Sequence, residues 1–156
     1  MSKNIQILDC TLRDGGLGLE DAEKNDLSHV RFSENDSRMT AGYLADSAID
    51  IIELGSIEIT SDDRTGFCIY KNIEDISKQM PLKKKQNQMF AALYRGPDTP
   101  IDDIPKWNPS LCEAVRVIIR YSELQKSLDF CAALSSKGYK AVSYTHLRAH
   151  ETRSNL

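Results

Sequence analysis

Short apolar runs that alternate with segments of helical period constrain this chain more than any other feature. Residues 5–9 (IQILD) form an apolar run entered almost at once, the pattern of a strand buried on both faces of a parallel sheet. Comparable runs follow at residues 49–54 (IDIIEL), 89–94 (MFAALY) and 115–119 (VRVII), and residues 139–142 begin a fifth. Between the first two, Ser33 and Asp36 stand three apart as in a capping box, and Met39, Tyr43 and Leu44 fall at helical spacing, which predicts a helix ending near Ala48. Ile73, Ile76 and Met80 after Asn72 predict a second helix stopped by Pro81. Pro100, Pro105, Trp107 and Pro109 make the next helix short or irregular. A second capping-box pattern, Ser122 with Gln125, opens a helix whose apolar face would be Leu124, Leu128 and Cys131 and which Gly138 would end. Alternation of this kind implies a parallel sheet with right-handed crossovers, and both a barrel and an open doubly wound sheet satisfy it.

The composition excludes several function classes. A net charge of −3 and a pI near 5.6 leave no electrostatic footprint for nucleic acid, and the basic run Lys83, Lys84, Lys85 is short enough to be a solvated loop. No stretch reaches the roughly eighteen apolar residues of a membrane span, and the opening MSKNIQILDC lacks the apolar segment of a signal peptide, so a cytoplasmic protein is expected. Cys10, Cys68, Cys112 and Cys131 lie far apart with no C-x-x-C pair, which points to reduced thiols rather than a zinc ribbon or a disulfide framework.

The first run leads into Asp9-Cys10-Thr11-Leu12-Arg13-Asp14-Gly15-Gly16, a polar cluster at the end of a strand, where barrels carry their chemistry. Adjacent Arg and Asp on a strand point in opposite directions, but a bend loosened by two glycines lets both face one pocket. The motif DCTLRDGG closely resembles the opening of the metallolyase-type TIM-barrel superfamily. That family includes 3-hydroxy-3-methylglutaryl-CoA lyase, 4-hydroxy-2-oxovalerate aldolase, isopropylmalate and homocitrate synthases and pyruvate carboxyltransferase domains. The resemblance continues through IDIIELGSIEI, VRVIIR and LDFCAALSSKGYK, covering roughly residues 4–141 in the expected order, and it favours the barrel. It implies an α/β fold comprising about the first four units of a (β/α)8 barrel and the start of strand five. It further implies that Arg13 contacts a keto or enolate oxygen, that Asp14 binds a divalent cation (Mg2+ or Mn2+), and that Glu53 matches an acidic residue some members use near the substrate. Pairing of Glu53 with a neighbouring basic side chain is the competing reading.

The implied activity is lysis or aldol cleavage of a keto acid or acyl-CoA-derived substrate through an enolate. The alternatives are an acyl-CoA/2-oxo acid condensing synthase of the same superfamily and a non-catalytic gene fragment. Family members work as homodimers or with a partner dehydrogenase. His29 lies farther from the RDG signature than the catalytic histidine of the aldolases and reads as a solvated loop residue, as does Arg95 after the third run. Residues 17–32 make a longer, more acidic first loop than the usual aldolase turn.

A whole barrel takes eight strands and about 250 residues. Residues 1–141 are therefore expected to be the N-terminal half of a catalytic domain, with the remaining metal ligands on a later strand. Residues 142–156 (VSYTHLRAHETRSNL) resemble a translated sequencing-library adapter and are expected to be a non-native tail. On that reading His146, His150 and Glu151, which imitate a helical metal site, are accidental neighbours.

Overall fold

The computed structural model describes residues 5–59 and 62–144. The apolar runs pair side by side as strands: β1 (Leu8–Asp9), β2 (Ile51–Ile57), β4 (Met89–Tyr94), β5 (Ala114–Ile118) and β6 (Lys140–Tyr144), with a short β3 (Ile69–Tyr70) beside β2. Every pairing is parallel, and the order β1-β2-β4-β5-β6 follows the chain without reversal. A doubly wound sheet reverses its order at a switch point. This sheet has none among the described residues and curls as a half-barrel.

β1 covers only the lower part of β2, pairing with Ile51 and Ile52, and β3 takes over the same flank higher up, pairing with Ser56 and Ile57. The changeover depends on Gly55, whose φ is +154° and where a Cβ would stand 2.2 Å from the carbonyl oxygen of Cys68. The register of β2 against β4 shifts at the same place, between Glu53 and Ser56.

Four α-helices, α1 (Thr11–Lys24), α2 (Glu34–Asp46), α3 (Ile73–Ser77) and α4 (Leu124–Ser136), and three 3-10 turns complete the described elements. The first helix corrects the sequence reading. The glycine-bearing stretch after β1 is not a bend leading into a long loop but a helix, and only residues 25–33 remain to connect it to α2. Its first turn closes through the Asp14 N–H donating to the Cys10 carbonyl at 2.8 Å. Leu12, Gly16 and Glu20, spaced by four, form its buried face. The glycines lower helix propensity, yet Gly16 lets the helix approach so closely that a Cβ there would fall 1.9 Å from the Phe67 carbonyl oxygen. Tertiary contact outweighs propensity.

The capping box at Ser33 forms as expected: its hydroxyl accepts from the Asp36 N–H and the Asp36 carboxylate accepts from the Ser33 N–H. Asn72 caps α3 through its side chain, which accepts from the Asp75 N–H, and Ile73 and Ile76 are buried as the spacing predicts. Two predicted faces are wrong in part, for of their residues only Leu44 and Cys131 pack against the core. On α2 the buried row is Ser37, Ala41 and Ala45, whereas Met39 and Tyr43 are exposed, because a close helix–sheet approach selects small side chains. On α4 the buried row is Ser127, Phe130 and Leu134, with Leu124 and Leu128 turned outward. The Ser122 capping box does not form, since Tyr121–Glu123 make a 3-10 turn and the helix starts from Glu123 without a side-chain cap. Gly138, at φ +97°, ends α4 as expected.

The helix-facing side of the sheet carries Ile52, Leu54, Phe90, Ala92, Val115 and Val117, packed with Ala41, Ile76 and Leu134 into one core. Tyr94 and Phe130 meet edge to face, their centroids 5.4 Å apart. Alternation then directs Glu53, Ala91 and Arg116 to the opposite side. Among the described residues no helix is long and apolar enough to cross a membrane.

Candidate active site

β1 delivers Arg13 and Asp14 just beyond its C-terminal end, on the first turn of α1, and β2 places Glu53 on the barrel-facing side of the sheet. These three predicted site residues are brought together. The Arg13 Nε donates to Glu53 Oε2 at 2.5 Å, while its NH1 and NH2 donate to the two Asp14 oxygens at 2.6 and 3.2 Å. Arg13 thus spans both carboxylates, using its inner edge for Glu53 and its outer fork for Asp14. Burial separates the two partners: Glu53 is fully enclosed, whereas the Asp14 side chain is 65% exposed.

Burial works against the charge on Arg13, but hydrogen bonds to Cys10 and Glu53 and the charges of Glu53 and Asp14 outweigh it, so the guanidinium stays protonated with its pKa raised. The Cys10 thiol beside it is pushed up, chiefly by burial, with Arg13 pulling the other way and Glu53 reinforcing the rise. Burial thus favours the neutral form of the Cys10 thiol.

A fourth residue, Arg116 on β5, belongs to the cluster and was not anticipated. Its NH1 lies 3.0 Å from each oxygen of Glu53 and 3.6 Å from Cys10 Sγ, and its guanidinium carbon stands 4.5 Å from the centre of the Tyr144 ring. The signal was present in VRVII: a single charge within an apolar strand, on the face opposite Val115 and Val117, requires a counter-charge within reach. Glu53 consequently accepts from two guanidiniums with both oxygens engaged. Glu53 is thereby paired with two basic side chains.

His29 is exposed in the connection between α1 and α2. Arg95 donates to Glu58 at 2.8 Å, and Glu58 also accepts from Arg64, which reaches Glu20 of α1 at 2.7 Å. This second ion-pair network fastens the far half of α1 to the ends of β2 and β4. His146, His150 and Glu151 lie outside the described residues.

Asp14 offers one exposed hard oxygen donor of the kind Mg2+ or Mn2+ takes. Among the described residues there is no group of three or more His, Cys, Asp or Glu side chains that could hold a metal ion. No protein-family model matches the chain, and no curated protein sequence matches it.

Proposed function

We propose that the chain is the N-terminal half of a (β/α)8 barrel whose full-length form is a divalent-cation-dependent carbon–carbon lyase or aldolase acting on a keto acid or acyl-CoA-derived substrate through an enolate. The observation that carries this reading is Arg13, held by the fully buried Glu53 at the C-terminal end of the first parallel strand with Asp14 beside it. Breaking a carbon–carbon bond next to a keto group leaves negative charge on the keto oxygen. A pre-oriented guanidinium offsets that charge without reorganising at the moment of reaction. Glu53 orients Arg13 through Nε and leaves the NH1/NH2 fork facing outward, where Asp14 now sits. Bound cation would supply Lewis-acid polarisation of the same oxygen, with Asp14 as one of its ligands and the others contributed from outside the described residues.

The test is enolisation itself. Full-length protein with Mg2+ in D2O is expected to exchange the methyl protons of pyruvate, followed by proton NMR, and Arg13→Met is expected to slow the exchange by about 100-fold or more. Absence of exchange by the wild-type protein in the presence of either Mg2+ or Mn2+ would sink the reading as a lyase of pyruvate-derived keto acids. The condensing-synthase alternative gives a different pattern, in which the methyl protons of acetyl-CoA exchange only when a 2-oxo acid is present.

A further inference from the structure

Arg116 reaches Glu53 from two strands away. Glu53 is in register with Ala91 on β4, and Ala91 with Ala114 on β5, while Arg116 is opposite Leu93. Two strand spacings amount to roughly 10 Å, and on that face the intervening strand presents Ala91 and Leu93, both buried. The long side chain of Arg116 therefore crosses an apolar floor to bring NH1 to 3.0 Å from both Glu53 oxygens at once.

We propose that Arg116 is a positioning residue that, acting through Glu53, fixes the direction in which Arg13 presents its outer N–H fork; this rests on the functional reading of Arg13 given above. A donor equidistant from the two oxygens straddles the carboxylate and, together with the Arg13 Nε on Oε2, limits its rotation. With that rotation limited, Oε2 faces the Arg13 Nε, and the Arg13 fork points away from the sheet. NH1 of Arg116 also approaches Cys10 Sγ, so one nitrogen ties β5 both to β2 and to the residue preceding α1, the helix that carries Arg13. Charge follows the same logic. Arg13, Arg116, Glu53 and Asp14 together are neutral, and without Arg116 the cluster carries one net negative charge, which disfavours an anionic oxygen at the fork. Packing alone would be served as well by an apolar side chain at position 116.

The experiment compares wild-type full-length protein with Arg116→Met and Arg116→Lys, reading the Arg13 Nε–Hε cross-peak by 15N NMR and pyruvate and oxalate affinity by calorimetry. Both variants are expected to shift the cross-peak or broaden it through faster exchange with water. Arg116→Met is expected to weaken anion binding about tenfold, and Arg116→Lys, which restores charge without the two-oxygen contact, to recover part of the affinity but not the cross-peak. An unmoved cross-peak in a folded variant overturns the proposal. Should Arg116→Met fail to fold, Arg116→Lys carries the same test. If wild-type protein binds neither anion while the cross-peak still responds to position 116, the positioning role stands and the lyase reading falls.

Discussion

Replacing Glu53 with Gln isolates the charge at the centre of the cluster. Glu53 is fully buried, and the Arg13 and Arg116 side chains are only 14% and 12% exposed, so little solvent is available to replace what the carboxylate supplies. Removing one partner of a buried ion pair costs about 3–5 kcal/mol. Arg13 keeps Asp14 and Gln keeps one acceptor oxygen, which places the expected loss near the lower end, about 3 kcal/mol. The internal control is Glu34→Gln on α2, whose pair with Arg38 has side-chain exposures of 65% and 53% and should lose no more than about 1 kcal/mol. A Glu53→Met/Arg116→Met double variant removes both charges of one pair and should recover part of the loss, giving a measurable coupling energy. Urea unfolding at neutral pH, with unchanged dependence on denaturant, reads all three. Equal losses, within about 0.5 kcal/mol, for Glu53→Gln and Glu34→Gln would refute the claim that burial makes this carboxylate structurally decisive.

Three further outcomes follow from the geometry. Gly18→Ala on α1 meets nothing within 4 Å and should stabilise by up to about 1 kcal/mol, whereas Gly16→Ala drives a Cβ to 1.9 Å from the Phe67 carbonyl oxygen and should destabilise by about 1–3 kcal/mol; calorimetric melts that move both variants the same way would contradict the docking of α1. Ser33→Ala should cost about 1 kcal/mol through its lost cap, while Ser122→Ala should be near neutral because no cap forms there, and equilibrium unfolding compares the two. Burial would raise the pKa of Glu20, but hydrogen bonds from Lys24 and Arg64 outweigh it and hold the carboxylate below the ordinary glutamate value. Its contribution is therefore fully present above the unfolded glutamate pKa and lost as pH falls through the lower folded value, so the stability gap between wild type and Glu20→Gln should narrow from about pH 6 to about pH 3.

The strands were legible because a strand buried on both faces leaves a continuous apolar run, and β4 occupies the very residues that run marks. Caps at Ser33 and Asn72 were legible or nearly so because they are local, made between residues three apart. What failed was whatever depended on a distant neighbour. Helix α1 looked like a bend since Gly15, Gly16 and Gly18 discourage helix in isolation, yet its stability comes from docking against Phe67 and β2. Met39, Tyr43, Leu124 and Leu128 were misassigned because helical spacing does not say which row docks: the sheet takes Ala41 and Ala45 on α2 and Ser127, Phe130 and Leu134 on α4.

By itself the amino-acid sequence determined an alternating α/β chain, a parallel sheet, and a polar cluster with Arg13 and Asp14 at the end of the first strand. Each of these is written in local pattern. Tertiary structure alone decided that the strands run in unbroken order into a half-barrel, that the glycine-bearing stretch is helical, and that Glu53 lies between two guanidiniums. The physical reason is distance along the chain: Glu53 is 40 residues from Arg13 and 63 from Arg116, and only the packing of the sheet brings three such charges out of water together.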